Sequence, residues 1–288
     1  MKLLRYRDGK NIVPGILDNE NTVRNASSWV KDWDSKTICN ENLNEIKLKD
    51  ISSLPLATEF SLQNDKIDLA PCISKTSVGK FICIGLNYAD HAEETGQKVP
   101  PEPIIFFKAT SAIIGPNDNV EIPKNSTKSD WEVELGVIIG KEAKYINENE
   151  SQNYIAGYCV VNDLSERKFQ IEHSGQWVKG KSCDTFGPIG PYIVTKDEID
   201  DPQNLKLWLD LNGKRMQDGS TKTMVYGVNF LVSYISQFMS LQPGDIISTG
   251  TPPGVGMGLK PQVWLKPGDE MHLGIEGLGE QKQKTVSA

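Results

Sequence analysis

The chain has 288 residues, of which 38% are apolar, so it can bury a substantial core as one large domain or as one domain with a small appendage. Acidic and basic residues are mixed along the chain and sum to a net charge of -7 at pH 7. This balance argues against nucleic acid or an anionic membrane as the main partner and leaves small polar substrates open.

The five cysteines form no C-x-x-C pair and no cluster with histidine at zinc spacing. Cys83 and Cys159 lie within apolar runs, so we expect buried thiols in a reducing compartment. The N-terminus lacks the apolar core of a signal peptide, and no run approaches the ~18 apolar residues of a membrane span. The sequence therefore predicts a soluble, cytoplasmic protein.

The first segment of the chain contains two strand-like runs, at 3–7 and 11–17, separated by the turn signal Asp8-Gly9. A stretch rich in asparagine, lysine and aspartate follows, and nothing in it points to chemistry. We predict a small N-terminal α+β domain over residues 1–72 and a second domain over residues 73–288.

From about residue 79 onward, strand-like runs are separated by proline and glycine. The motifs are GPND at 115–118, GPIGP at 187–191, QPGD at 242–245 and KPGD at 266–269. Pro-Gly-Asp before an apolar run predicts a tight turn entering a strand. The clearest helix covers 228–240, and we interpret its aromatic stripe, which includes Phe230, Tyr234 and Phe238, as part of the core. The second region is thus predicted to be a β-rich α+β domain.

A short helix is predicted after the strand-like run at 80–87, and it places His91 and Glu94 on one face, three residues apart. A histidine oriented by a carboxylate is the usual means of making water a nucleophile near neutral pH. A surface ion pair is the alternative interpretation. The chain has only three histidines, and the other two lie in charged or turn-like surroundings, which favours a catalytic pair.

Two apolar runs further along the chain carry three acidic residues. Glu132 and Glu134 are two apart in a strand-like run, so their side chains point to the same face, and Asp163 ends the next such run. The alternative is a solvated strand face with lysine partners. The apolar stretch 135–139 instead suggests a strand covered on both faces, where unpaired charge is expensive. Three carboxylates predict a site for Mg²⁺, Mn²⁺ or Ca²⁺ rather than zinc.

Three further segments supply polar groups. If the chain turns into a helix after Asp163, Arg167 and Gln170 lie on one side and could hold substrate carboxylate or carbonyl groups. Lys181 lies before a structured turn, where it is either solvated or stabilises negative charge near a metal. The glycine-rich segment at 248–258 lacks the lysine of a P-loop, but its backbone amides and the Thr251 hydroxyl could line a small-anion pocket.

Together these elements resemble the fumarylacetoacetate hydrolase family. The matching motifs, in family order over residues 79–280, are GLNYADH at 85–91, FFK at 106–108, DWEVELG at 130–136, NDLSER at 162–167, KSCDTFGP at 181–188 and TGTPPGVG at 249–256. The resemblance implies a mixed β-sandwich roll as the catalytic fold over 73–288. It also implies that the protein is a homodimer, a common state in the family.

The resemblance also implies roles for the residues of the site. These are Mg²⁺ or Mn²⁺ held by Glu132, Glu134 and Asp163, a His91/Glu94 dyad on a lid helix, Lys181 as a charge-stabilising residue, Arg167 and Gln170 as substrate contacts, and Thr251 in a carboxylate pocket. The implied reaction cleaves a C–C bond of a 2,4-diketo acid, either a 2,4-diketo-3-deoxy sugar acid or an acylpyruvate, to pyruvate and a carboxylic acid.

The chain departs from the founding enzymes of the family at one position. They carry a further metal-ligand aspartate seven residues before the catalytic histidine, where this chain has Ile84. It therefore resembles the larger three-carboxylate branch, and most of all its subgroup of 2,4-diketo-3-deoxy-L-rhamnonate or fuconate hydrolases and proteins labelled ureidoglycolate lyase. A ureidoglycolate lyase, which releases urea and glyoxylate, is the alternative enzyme, and isomerase or decarboxylase activity also stays open. A non-catalytic protein that binds a metal or a sugar acid is the alternative from another class.

Overall fold

Strands dominate the protein in a computed structural model that describes residues 1–61, 67–94, 96 and 98–288. The strands, numbered along the chain, are β1 Lys2–Asp8, β2 Asn11–Leu17, β3 Thr22–Asn25, β4 Leu56–Ser61, β5 Phe81–Gly85, β6 Ile104–Lys108, β7 Ile113–Ile114, β8 Val120–Ile122, β9 Ser129–Asp130, β10 Val133–Ile139, β11 Ile155–Asn162, β12 Ser165–Glu166, β13 Gly187–Thr195, β14 Lys206–Leu211, β15 Lys214–Ser220, β16 Ile246–Ser248, β17 Glu270–Ile275 and β18 Gly279–Ser287.

Helices are few and short among the described residues. The α-helices are α1 Asn40–Lys47, α2 Ala89–Glu94, α3 Val178–Lys181 and α4 Val228–Ser236, and a π-helix covers Lys168–Glu172. Short 3-10 helices cover Ile51–Ser53, Lys75–Ser77, Thr110–Ala112, Glu148–Tyr154, Lys196–Glu198 and Thr221–Thr223. The predicted β-rich α+β fold is confirmed.

The strands form one large mixed sheet, a second sheet of five strands and a small pair. The large sheet runs β4-β3-β2-β1-β13-β11-β10-β16-β5-β6, with β7 beside β13. The second sheet runs β15-β14-β17-β18-β8, and β12 pairs with β9. Strand β16 lies parallel to β5, whereas β10 is antiparallel to both β11 and β16. Strands β11, β10 and β16 are neighbours within the interior of the large sheet.

Central strand β10 is buried along its whole length because both of its faces are covered by apolar side chains. Leu135 and Val137 face one hydrophobic cluster, and Ile138 faces the other. Since side chains alternate along a strand, Glu134 lies on the same face as Ile138, within the protein. The sheet therefore presents a carboxylate from its interior instead of from a solvated surface.

The N-terminal segment continues the large sheet. The predicted strands at 3–7 and 11–17 are confirmed as β1 and β2, which form a hairpin through the turn at Asp8-Gly9. Strand β1 pairs with β13 through Lys2 and Leu3, so β1 to β4 extend the sheet that contains β10. The division of the chain at residue 72 stays a prediction.

The two predicted Pro-Gly-Asp turns are stabilised by the same kind of hydrogen bond. The Asp245 carboxylate accepts a hydrogen bond from Gln242 N at 2.7 Å, directly before β16. The Asp269 carboxylate accepts one from Lys266 N at 2.9 Å, directly before β17. An aspartate that binds the backbone at the start of its own turn fixes the chain direction, which is why these motifs predicted the strands that follow.

The motif GPIGP was predicted to separate strands, and this was wrong because residues 187–191 lie inside β13. The pairing of β13 with β11 breaks between Tyr158 and Val160, where Gly190 has a φ of +132°. An irregular stretch of this kind tolerates proline, which cannot donate a hydrogen bond to a regular ladder. The sequence signal for a break was real, but it marked a bulge within a strand.

Helix α4 is shorter than predicted, and its aromatic stripe is not core. Leu231, Val232 and Ile235 form the buried face, whereas Phe230 and Tyr234 are partly exposed. Phe238, beyond the end of the helix, is 63% exposed. The stripe was misassigned because aromatic and aliphatic residues both recur at helical spacing here, and the aliphatic set is the one that packs inward.

The state of the cysteines agrees with the expectation from the sequence. All five cysteines are unpaired, and Cys83 and Cys159 are buried as predicted. Within residues 1–61, 67–94, 96 and 98–288, no helix is both long and apolar enough to cross a membrane.

Candidate metal centre and active site

Three carboxylates meet at one end of β10 and β11. Glu132 lies just before β10, Glu134 lies within it, and Asp163 follows the end of β11. The antiparallel register, with Val133 opposite Asn162, brings these positions side by side, and Asp163 N donates to the Glu132 carbonyl at 2.9 Å. One oxygen from each carboxylate lies within 4.8 Å of the others, and the three residues are at most 6% exposed.

Lys181 bridges two of these carboxylates. Its Nζ donates to Glu132 Oε2 at 2.6 Å and to Asp163 Oδ2 at 2.8 Å. Burial alone would lower the pKa of Lys181, but the Asp163 and Glu132 carboxylates outweigh it and raise that pKa above its usual value. The sequence allowed two interpretations of Lys181, a solvated residue or a charge-stabilising one. In the structure Lys181 is a buried cation at the carboxylate cluster.

Arg167 also forms an ion pair with the carboxylate cluster. Its guanidinium donates to Glu132 Oε1 at 2.6 Å and to Asp130 Oδ2 at 2.8 Å, and to Gln170 Oε1 at 3.1 Å. Arg167 and Gln170 therefore lie on one side, as the sequence suggested. Burial alone would raise the pKa of Glu132, but Lys181 and Arg167 reverse the shift and hold it below its usual range. Glu132 is thereby kept ionised.

Two residues of this network were missed by the sequence analysis. Lys108 is buried, lies 2.7 Å from Asp163 Oδ1 and donates to the carbonyl oxygens of Leu164, at 3.0 Å, and of Lys181. Asp130 accepts hydrogen bonds from Gly256 N at 2.6 Å and Met257 N at 3.1 Å. Each residue lies in a motif that carried the family resemblance. The sequence feature that could have pointed to Lys108 is a lysine at the end of an apolar strand.

The cluster fits a divalent cation. Burial, followed by the charges of Asp163 and Glu132, raises the pKa of Glu134 well above its usual value, although Ser248 Oγ and Gly250 N donate to it at 2.6 and 2.9 Å. Asp163 Oδ1 lies close to Lys108 but has no aligned hydrogen-bond donor. A bound cation would offset this repulsion, and a donor set of carboxylate oxygens suits Mg²⁺ or Mn²⁺.

The predicted dyad lies above the carboxylates on helix α2. His91 Nδ1 is 3.1 Å from Glu94 Oε2, and His91 is 5% exposed. The second Glu94 oxygen accepts a hydrogen bond from Gly254 N at 2.9 Å, so the helix is fastened to the glycine-rich segment. With Nδ1 facing a carboxylate, Nε2 is the basic nitrogen of the neutral ring.

Thr251 lies at the same site with its hydroxyl already bonded. It donates to Val133 O at 2.9 Å and accepts from Gln217 Nε2 at 2.8 Å. Gln217 Oε1 in turn accepts from Val133 N at 3.0 Å. Thr251 therefore fastens the glycine-rich segment to the start of β10, next to Glu132 and Glu134.

A cavity of about 60 Å³ joins these groups. It is bordered by seven of the nine predicted site residues, namely His91, Glu132, Glu134, Arg167, Gln170, Lys181 and Thr251. Ile84, which stands where the founding enzymes have a fourth carboxylate, lies on its wall, together with Phe106 and Trp177, which the sequence analysis did not single out. The metal cluster and the dyad thus face one space.

Helix α3 can bring Lys181 into the cluster because Gly180 has no side chain. A Cβ at Gly180 would lie 2.3 Å from Glu166 O and 2.6 Å from Gln170 N. We expect Gly180→Ala to destabilise the protein by about 1–3 kcal/mol, the usual range for overpacking, and to lower kcat by displacing Lys181. Urea unfolding and a turnover assay check this. Val178→Ala, in the same helix at a position 44% exposed, is the control, and an unchanged stability of Gly180→Ala would contradict the packing described here.

Comparison with known proteins gives consistent matches along the chain. The sequence model described as fumarylacetoacetate (FAA) hydrolase, C-terminal, matches residues 80–286. A protein of Burkholderia orbicola, named provisionally as a hydrolase, is 54% identical over 289 residues and all of both chains. A fumarylacetoacetate hydrolase from Exiguobacterium antarcticum has a TM-score of 0.86 at 31% identity, covering all of both chains.

A second solved structure informs the chemistry of the site. The maleylpyruvate hydrolase of Sphingobium sp. SYK-6, in complex with manganese(II) and pyruvate, has a TM-score of 0.80 at 26% identity, again covering all of both chains. Other matched structures carry the name 2-hydroxyhepta-2,4-diene-1,7-dioate isomerase. The similar proteins thus include both hydrolases and isomerases.

Proposed function

The chain belongs to the fumarylacetoacetate hydrolase family, and from this membership we propose that it is a divalent-metal-dependent hydrolase that cleaves a 2,4-diketo acid to pyruvate and a carboxylic acid. The observation that carries the proposal is the cavity that Glu132, Glu134, Lys181 and His91 all border, beside the carboxylate cluster that Asp163 completes. Hydrolysis of a C–C bond needs a base for water and a stabilised carbanion, and this cavity offers a group for each.

Glu132, Glu134 and Asp163 would hold the cation, Mg²⁺ or Mn²⁺, which would supply Lewis acidity for the C1 carboxylate and C2 oxygen of the substrate. His91, oriented by Glu94, accepts a proton from water through Nε2, and the water oxygen attacks C4. The C3–C4 bond then breaks, and its electron pair passes into the enolate of pyruvate. The Lys181 ammonium stabilises that negative charge until C3 takes up a proton.

Ser248, Gly250 and Arg167 support this chemistry by holding ligands in place. Ser248 and Gly250 donate to Glu134, and Arg167 donates to Glu132, so these two carboxylates are oriented by hydrogen bonds from two separate segments. Partners of this kind fix the direction of ligand side chains and typically contribute 10- to 100-fold to metal affinity. These hydrogen bonds therefore position the ligand side chains before a metal ion binds.

We further propose that the protein acts as a homodimer, which light scattering would test.

Product analysis tests the proposed reaction. Metal-free protein is incubated with and without Mg²⁺, or with Mn²⁺, and with an acylpyruvate, a 2,4-diketo-3-deoxy sugar acid, oxaloacetate and ureidoglycolate in separate samples followed by NMR. We expect metal-dependent formation of pyruvate with the matching carboxylic acid from one of the diketo acids. Urea and glyoxylate would instead indicate the lyase, and pyruvate from oxaloacetate alone would indicate a decarboxylase. Absence of turnover would support a binding protein.

Isomerisation is a second candidate because some similar structures carry isomerase names. An isomerase moves a proton between carbons and needs no attacking water, but it needs a base as well, so the His91/Glu94 pair could serve either reaction. The same NMR experiment with a 2-hydroxy-2,4-dienedioate separates the two functions. A rearranged product without release of pyruvate would replace the hydrolase by an isomerase.

A further inference from the structure

Four aromatic rings form a row along helix α4 and its two ends. The ring centroids of Tyr226 and Phe230 lie 5.2 Å apart, and those of Phe230 and Tyr234 lie 5.7 Å apart, in both cases with the rings stacked. Tyr234 then meets Phe238 edge to face at 4.9 Å. All four side chains are at least partly exposed, so the aromatic row is not part of the core. Its contacts with other segments indicate its role.

The two tyrosine hydroxyls of the aromatic row bind the chain that follows helix α2. Tyr226 Oη donates to Pro100 O at 2.7 Å, and Tyr234 Oη donates to Glu102 Oε2 at 2.7 Å. Both acceptors lie in the stretch 98–103, between α2 and β6. The row therefore holds the chain that leads away from the helix with His91.

The start of helix α2 is fastened to the same tyrosine. Asn87, which is buried just before α2, accepts from Tyr226 N at 2.9 Å and donates to Tyr226 O at 3.0 Å through its side-chain amide. The amide also donates to Thr249 O at 2.8 Å, next to Gly250, which donates to Glu134. Tyr226 thus contacts the chain on both sides of α2.

Helix α2 needs contacts of this kind because it is only six residues long. Isolated helices of that length are not stable in water, since too few hydrogen bonds offset the cost of starting a helix. The bond from Gly254 N to Glu94 holds the end of α2. The position of His91 is therefore set by the segments around α2 more than by the helix itself.

Resting on the proposed function, which gives His91 the role of base, we infer that Tyr226 and Tyr234 are positioning residues whose hydroxyls hold α2, and with it His91, over the cavity. Neither tyrosine borders the cavity, so both act through the place of His91. Loss of one hydrogen bond should raise the population of molecules with α2 locally opened by about 2- to 10-fold.

Chemical modification of His91 tests this inference without an assay of turnover. Diethyl pyrocarbonate, which acylates neutral imidazole, is added to the Mg²⁺-loaded natural protein and to Tyr226→Phe, Tyr234→Phe and the double variant, and modified peptides are quantified by mass spectrometry. His91 is 5% exposed, so the reagent reaches it when α2 opens. We expect the rate of His91 modification to rise about 2- to 10-fold in each single variant and further in the double variant.

Two controls separate local opening from general loosening of the fold. His272, a partly exposed residue of the second sheet, is the internal reference and should react at the same rate in every variant. Tyr145→Phe, the same substitution at a position 67% exposed, is the matched control and should leave the rate for His91 unchanged. An unchanged rate for His91 in the double variant, or an equal rise for His91 and His272, would overturn the inference.

Turnover of the same Mg²⁺-loaded variants gives a second readout. Because molecules with α2 in place are the ones that turn over, kcat for pyruvate release should fall by no more than the factor by which His91 modification rises, with metal affinity unchanged. A larger fall in kcat would give the hydroxyls a direct part in the reaction and overturn the positioning role. If the natural protein releases no pyruvate from any diketo acid, the proposed hydrolase fails, while the modification rates still decide whether the aromatic row holds α2.

Discussion

Replacing His91 by alanine is expected to lower kcat by about 10²- to 10⁴-fold, the usual range for loss of a general base. The substitution removes the only imidazole that borders the cavity among the described residues, while Glu132, Glu134 and Asp163, the proposed metal ligands, stay in place. Metal affinity should therefore change little. Steady-state kinetics with saturating Mg²⁺, together with a metal-binding titration, measures the two effects separately.

The control for His91 is His272→Ala, whose imidazole is paired with Glu280 in the second sheet and should be neutral for activity. Glu94→Gln keeps the shape of the dyad but weakens the hold on His91 Nδ1, so it should give an intermediate loss. A near-normal kcat for His91→Ala would remove the dyad from the mechanism. Equal losses of metal affinity and kcat would instead show that His91 supports the metal centre.

Removing Glu132 is expected to abolish metal binding at working concentrations and, with it, activity. Residues that merely support a ligand contribute 10- to 100-fold to metal affinity, so loss of a direct ligand should have at least that effect. Glu132→Ala also leaves Lys181 and Arg167 buried without their shared carboxylate, which costs about 3–5 kcal/mol of stability. Calorimetric titration with Mn²⁺ and thermal unfolding measure both consequences.

Glu132→Gln separates metal binding from folding. The amide keeps a carbonyl oxygen that can accept a hydrogen bond from Arg167 or Lys181, so the fold should suffer less than in Glu132→Ala while metal affinity still falls. Glu121→Gln, at an exposed position of β8, is the matched control and should bind metal normally. Full activity of Glu132→Gln without detectable bound metal would refute the assignment of the metal centre.

The convergence of the three carboxylates could be predicted from the sequence because it depends on local rules. Alternation along β10 and the end of β11 bring Glu132, Glu134 and Asp163 to one edge of an antiparallel pair. The pairing of His91 with Glu94 follows from helical spacing in the same way. The turns before β16 and β17 were predictable because each aspartate binds the backbone of its own turn.

The counter-charges of the site could not be predicted because they depend on the packing of distant segments. Lys108 approaches Asp163 across 55 residues of sequence, and Asp130 joins Arg167 to the backbone of the glycine-rich segment. Neither contact leaves a periodic signal. Likewise, the proline and glycine motif within β13 looks like a loop until the partner strand shows that it forms a bulge.

The central claim is that one divalent ion, bound by Glu132, Glu134 and Asp163, is required for C–C bond hydrolysis. The most direct test is a titration of metal-free protein with Mn²⁺, in which bound metal and the rate of pyruvate release from an acylpyruvate are measured on the same samples. We predict that the rate rises in proportion to bound metal and reaches its plateau at one ion per chain. A full rate in protein without bound metal, or a plateau that does not follow occupancy, would contradict the account.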